Sequence, residues 1–417
     1  MRARLLTITA TAVLFTSCLT VPAAAVPPTP SDPTAPATAA PVVPCPRMPA
    51  PKASRPPRAT PPPVPAEDRA LREPALDNPG LVVPAGAPTP PRVTATSWLV
   101  ADLDTGQVLG GCRPYEHATP ASVQKLLLAA TMLPKLDPEQ VVKVTAEDMN
   151  IEPGSSAVGM VEGGRYKLET VWLGLLLNSG NEAANLLARL GGGEDGVAGG
   201  VAAMNEYARH LGALQTYAVT PSGLDAPGQS TSAYDLALIA RACFANPDFR
   251  RYARTESTKI PAQKVKKAKA FQIQNDNRLL YNYPGAIGGK TGFTDLARHT
   301  YVGAAERDGR RLVVTLLGAE AQPKNGWEQG AALLDWGFGL PRTAAVGRLV
   351  EPGELAERAS PEPSPEEAEE LNASPAASSP RQAGGVDLFW PLVALAVAAT
   401  ALFLVVQLKR RSAGQRR

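Results

Sequence analysis

The stretch YPGAIGGKTG, residues 283–292, admits two readings, and the fold follows from which one holds. A phosphate-cradling loop needs Gly six positions before its Lys, where backbone N–H groups curl around the anion. Pro284 occupies that position; it has no N–H and a fixed φ. The alternative is a strand over 286–291. Lys290 and Thr291 then supply a cation and a hydroxyl, while Gly288, Gly289 and Gly292 leave room for an extended chain to lie alongside.

Further strands follow from the same kind of reading. SWLVADLDTGQVLGG (97–111) alternates on both sides of Asp104-Thr105-Gly106, as a β-hairpin does. Residues 300–305 and 311–317 are strand-like runs. Between the early and late strands lie helical patterns at 121–133, entered through Pro120, at 168–177 and 182–190 on either side of NSGN, at 200–211, and at 232–244 with Ser232 as N-cap. A last helix is expected at 331–338. Strands at both sequence ends with helices between them predict a mixed α/β fold of the α+β kind, an antiparallel sheet flanked by helices plus a helical subdomain.

The chain ends are built differently. Arg2 and Arg4, an apolar run 5–19 and Ala23-Ala24-Ala25 describe a secretory signal peptide over 1–25. Residues 26–92 hold 22 of the 42 prolines and read as a disordered arm. The folded domain is expected over 93–348, followed by a Glu-, Pro- and Ser-rich linker at 349–385. Residues 388–408 are free of charge and would reach about 31 Å as a helix, enough to span a bilayer. Lys409-Arg410-Arg411 then opens a basic cytoplasmic tail, 409–417. This layout predicts a single-pass membrane protein with a C-terminal anchor and an extracytoplasmic domain, where nucleotides are scarce. The net charge of +3 is too small to argue for nucleic acid. KVKKAKA (264–270) reads as a solvated loop, with contact to anionic wall polymers as the alternative. An exported chain permits a disulfide; Cys45–Cys112 would staple the arm to the domain, and Cys243, in a helical pattern, reads as a buried small hydrophobe. With three cysteines beyond the signal peptide, the pairing stays open.

His117, His210 and His299 are not paired at metal-ligand spacing, and no Cys-x-x-Cys occurs, so no metal or cofactor is expected. A serine elbow G-x-S-x-G is also missing. Serine can instead be activated by a neutral lysine, provided burial and a second cation lower the amine's pKa. Ser122 and Lys125, at i and i+3 in TPASVQKLLLA, fall on one face of a helix start. Ser179 and Asn181 sit in a break between two helices, and Lys290-Thr291-Gly292 follows on the strand.

S-x-x-K, S-x-N and K-T-G in this order resemble the penicillin-binding proteins and serine β-lactamases. PASVQK (120–125), NSGNEAANLLA (178–188), PSGLDAPGQSTSAYDLALIA (221–240), NRLLYNYPGAIGGKTGFTD (277–295) and LLDWGF (333–338) are similar to the low-molecular-mass D-alanyl-D-alanine carboxypeptidases, serine peptidase family S11, of the actinobacterial type with a C-terminal anchor. The resemblance implies the transpeptidase fold of that group. It implies peptidoglycan stem peptides ending in D-Ala-D-Ala as substrate and β-lactams as covalent inhibitors. It makes Ser122 the nucleophile, Lys125 its base, Ser179 a proton relay and Asn181 a substrate-amide ligand. Lys290 would keep Lys125 neutral and, with Thr291, meet the terminal carboxylate; Gly292 leaves room for substrate; the N–H groups of Ser122 and Phe293 would form the oxyanion hole. Many relatives carry His where Phe293 stands. Asn325-Gly326-Trp327 lacks the Arg that some relatives use for the carboxylate, so that help is either absent or comes from elsewhere, with Arg298 as one candidate. Two other readings stay open: a D,D-endopeptidase on cross-links, and a non-catalytic peptidoglycan-binding tether.

Overall fold

The computed structural model describes residues 42–51 and 64–359. The signal peptide and transmembrane segment expected at the two ends lie outside them, as does most of the 349–385 linker. No helix among the described residues is long and apolar enough to cross a membrane.

The main sheet is built from β1 (Leu81–Val82), β2 (Ser97–Asp102), β3 (Gln107–Cys112) and, after two small two-stranded sheets, β8 (Ala286–Thr294), β9 (Arg298–Arg307), β10 (Arg310–Ala319) and β11 (Gly347–Arg348). The small sheets are β4 (Val141–Lys143) with β5 (Arg165–Lys167), and β6 (Ser257–Ile260) with β7 (Phe271–Gln274). The order is β1-β3-β2-β10-β9-β8, with β11 added beside β3 and every pairing antiparallel. β2 is buried along its whole length. Its Leu99 and Ala101 enter one apolar cluster while Trp98 and Val100 enter another, as period-two alternation requires of a strand covered on both faces.

One cover is the helix Gly326–Phe338, whose Leu333, Leu334 and Trp336 pack on Val100, Leu312 and Val314. The other is the helix Ala233–Ala245, capped by Ser232, whose hydroxyl accepts from the Asp235 N–H at 3.1 Å. On that side the helices Lys125–Met132, Leu168–Asn178, Asn181–Gly191 and Gly196–His210 assemble the helical subdomain. The predicted helix at 121–133 is divided: Ala121–Gln124 is a 3₁₀ turn and the α-helix begins at Lys125. KVKKAKA lies in the connection between β6 and β7, with Lys266 paired to Glu162 at 3.4 Å.

The arm expected to be disordered over 26–92 is folded onto the domain where it is described. A disulfide joins Cys45 to Cys112, and Leu81 and Val82 pair with Cys112 and Gly111. Leu76 is fully buried in the core. Proline removes N–H groups but keeps its carbonyls, and Trp336 Nε1 donates to the Pro88 carbonyl at 2.8 Å. At the other boundary, Leu349, Val350 and Leu355 are buried, so the domain continues past 348 into a helix at Glu354–Ala359. Cys243 is buried and free.

Candidate active site

Three elements converge on one cleft of about 350 Å³: the 3₁₀ turn carrying Ser122, the junction between the helices ending at Asn178 and starting at Asn181, and β8. Ser122, Ser179, Asn181, Thr291, Gly292 and Phe293 line it, together with Gly154, Ser155, Ser156, Leu224, Asp276 and His299. Lys125 and Lys290 lie beneath its floor, with 0% and 1% of their surface exposed. Of the predicted site residues, six therefore face the cleft and two support it from below.

The Lys125 amine lies 2.9 Å from Ser122 Oγ, 2.8 Å from Asn181 Oδ1 and 2.8 Å from the Ser222 carbonyl oxygen. Burial, and after it the Lys290 cation, hold this amine well below the usual lysine pKa, against the opposing pull of the Glu182 carboxylate. A neutral amine has two hydrogens and one lone pair. Asn181 Oδ1 and the Ser222 carbonyl only accept, so they take both hydrogens and leave the lone pair facing the Ser122 hydroxyl. Burial lowers Lys290 to about 8, with Asp276 pulling it back up. The Lys290 Nζ donates to the Thr291 carbonyl at 2.8 Å.

Backbone strain accompanies two of the cleft serines, Ser122 and Ser179. Ala121, immediately before Ser122, has φ 49°, and Ser179 itself has φ 62° at the end of its helix. Left-handed conformations cost a non-glycine residue about 1–3 kcal/mol and gather at functional sites. Ser179 Oγ is buried with no hydrogen-bond partner among the described residues. Thr300 Oγ1 donates to the Pro120 carbonyl at 2.8 Å, tying β9 to the turn that carries Ser122. A Cβ on Gly292 would sit 2.8 Å from the Ser122 nitrogen and 2.4 Å from Thr300 Oγ1, so β8 approaches the turn as closely as backbone allows.

Arg298 does not reach the cleft. Its guanidinium is held by Glu320 at 3.0 Å and lies 5.2 Å from the centre of the Phe293 ring. It thus stacks on the Phe293 ring, and the structure does not place it as a replacement carboxylate ligand. His299 lines the cleft 4.7 Å from the same ring. The Ser222 carbonyl, Asp276, Glu182 and the 154–156 wall were not singled out from the sequence. Of these, Ser222 lay in the quoted motif PSGLDAPGQS and Glu182 in NSGNEAANLLA.

A serine hydroxyl 2.9 Å from a buried lysine amine whose pKa is held low, between a helical subdomain and the edge strand of an antiparallel sheet, defines a serine acyl-transfer enzyme of the penicillin-recognising fold. The family model for D-alanyl-D-alanine carboxypeptidase (peptidase S11) matches residues 85–321, and the chain belongs to that family. It is 45% identical over 273 residues to the Mycobacterium tuberculosis D-alanyl-D-alanine carboxypeptidase DacB2, covering 64% of this chain and 90% of that one. It is 34% identical to the Escherichia coli D-alanyl-D-alanine carboxypeptidase DacD, of whose length it spans 65%. Among solved structures, a D-alanyl-D-alanine carboxypeptidase from M. tuberculosis matches with a TM-score of 0.60 at 44% identity, over 64% of this chain and all of that one. The Streptomyces K15 DD-transpeptidase matches with a TM-score of 0.58 at 25% identity, over 61% of this chain and all of that one.

Proposed function

We propose that this chain is a serine-type, penicillin-sensitive D-Ala-D-Ala carboxypeptidase that removes the terminal D-alanine from peptidoglycan pentapeptides through an acyl-enzyme on Ser122. The observation that carries this reading is the Lys125 amine, whose two acceptor-only partners turn its lone pair toward Ser122. Lys125 takes the hydroxyl proton as Ser122 Oγ attacks the carbonyl of the penultimate D-alanine. The oxyanion rests on the N–H groups of Ser122 and Phe293. Ser179 relays the proton to the departing D-alanine amine, Asn181 holds the substrate amide, and water then hydrolyses the ester. Lys290 and Thr291 attract the terminal carboxylate. The domain acts outside the membrane, on the anchor read at 388–408.

The test is incubation of the purified protein with a defined pentapeptide. Release of one D-alanine and a tetrapeptide supports the proposal; an intact pentapeptide refutes it. Cleavage of cross-linked dimers, with pentapeptide left intact, assigns the endopeptidase reading instead. The pH profile of kcat/KM follows from the two lysines. The acid limb reports protonation of Lys125, because activity is lost once the base carries a proton. The basic limb should fall near pH 8, where Lys290 gives up the charge that attracts the carboxylate. A profile flat from pH 6 to about 10, beyond both this limb and the α-amino range, contradicts these roles.

Gly292→Ala tests the close approach of β8. Its methyl would lie 2.8 Å from the Ser122 nitrogen and displace an oxyanion donor. Loss of one such donor lowers kcat by about 10²–10³-fold. A folded Gly292→Ala protein with wild-type kcat would remove the donor assignment.

A further inference from the structure

We propose that Glu182 is a positioning residue of this site, whose carboxylate ties residues 158–160, just past the Gly154–Ser156 wall of the cleft, to the helix that carries Asn181. The inference rests on the carboxypeptidase reading for its kinetic consequences and on geometry for the tie itself. Glu182 has 1% of its surface exposed. Its Oε1 accepts from the backbone N–H groups of Val158 at 2.7 Å, Gly159 at 2.9 Å and Met160 at 3.3 Å. Three successive N–H groups converging on one oxygen form a concavity suited to an anion. A second stitch lies just upstream, where the Asn181 N–H donates to the Ser156 carbonyl at 3.0 Å. Residues 156–160 are thus sewn to residues 181 and 182.

The seam leaves no slack. A Cβ on Gly180 would lie 2.3 Å from Val158 Cγ2 and 3.2 Å from Glu182 Oε2, so the wall rests directly on the turn that presents Ser179. Gly154, Ser155 and Ser156 face the cleft from the same segment. Where Glu182 holds the 158–160 backbone therefore sets where this wall meets a bound peptide.

Glu182 also differs from a neutral clasp. Its Oε2 is buried with no hydrogen-bond partner among the described residues. Leaving a buried carboxylate oxygen bare is costly, and the Glu182 carboxylate acts electrostatically on the Lys125 amine. The charged groups acting on Lys125 are Lys290 from β8 and Glu182 from its own helix, with Asp276 acting on Lys290. Glu182 favours the protonated form of Lys125 and Lys290 disfavours it.

Reach and charge are separable by two conservative variants. Glu182→Asp keeps the charge but is one methylene short of the 158–160 backbone. Amide hydrogen exchange at Val158, Gly159 and Met160 should accelerate, and kcat/KM on pentapeptide should fall about 10- to 100-fold through a raised KM. The acid limb of its pH profile should stay in place. Glu182→Gln keeps the reach and loses the charge, so its acid limb should move to lower pH because Lys125 loses the anion that favours its proton. Unchanged exchange at 158–160 in Glu182→Asp overturns the tie. Faster exchange with wild-type KM and an unmoved acid limb in both variants reduces Glu182 to a structural residue and also overturns the proposal. Failure of the wild type to release D-alanine would strike the carboxypeptidase reading alone, since the exchange measurement still reads the tie.

Discussion

Ser122→Ala should yield a folded protein that forms no covalent adduct with a fluorescent penicillin and releases D-alanine slower by on the order of 10⁵–10⁶-fold. The size of the effect follows from the removal of the attacking atom, with only binding and the oxyanion donors left. Other serines stand near the cleft, and their surroundings explain the choice. The Ser179 hydroxyl has no partner among the described residues, and Ser155 donates to the Glu152 carbonyl at 2.6 Å. Ser222 offers Lys125 its carbonyl, while its hydroxyl accepts from the Leu224 N–H at 3.4 Å. Of these serines, Ser122 presents its hydroxyl to the Lys125 amine, at 2.9 Å. Peptide mass mapping of the penicillin adduct checks the assignment, and an adduct on Ser155 or Ser179 would sink it.

Lys125→Arg should fail nearly as completely, with kcat/KM lower by about 10³-fold or more. Guanidinium stays protonated at any pH the protein tolerates, so it has no lone pair to offer. The position is also closed: the lysine is fully buried, and its nitrogen already meets Ser122, Asn181 and the Ser222 carbonyl. A planar fork of five donors does not fit a space with three short contacts. The decisive comparison is the rate of acyl adduct formation in wild type and variant, alongside thermal unfolding to show that both are folded. A variant acylated within tenfold of the wild-type rate would end the role given to Lys125.

Much of this site was legible because helix geometry converts spacing into proximity. Ser122 and Lys125 are three residues apart at a helix start, and Ser179 and Asn181 bracket a helix break, so sequence order already implied shared faces. Lys290 was legible as a cation but not as a buried one. Alternation says that neighbours on a strand face opposite ways, without saying which way faces substrate; here Thr291 lines the cleft and Lys290 lies under it. The Ser222 contact escaped because it is made by a carbonyl, which every residue possesses. Glu182 escaped because its partners are backbone N–H groups 22 to 24 positions away. The arm was misread for a related reason. Proline-rich composition erases periodicity, yet Leu76, the Pro88 carbonyl and Cys45 each found a place on the domain. Arg298, the candidate substitute for the carboxylate-binding Arg, does not line the cleft and already has a carboxylate partner in Glu320.

The Cys45–Cys112 bridge gives the two ends of the folded domain unequal resistance to pulling. Tension applied upstream of Cys45 passes through a covalent bond into β3, which is hydrogen-bonded to β2 at the heart of the sheet. Tension applied at Arg358 first meets a six-residue helix, which the buried Leu355 and the Glu354 carboxylate on Arg348 help to hold. A steady load on the domain would therefore peel the C-terminal turn first and leave Ser122, Lys125 and the strand beside them undisturbed, so the domain yields at the end farther in the chain from Ser122.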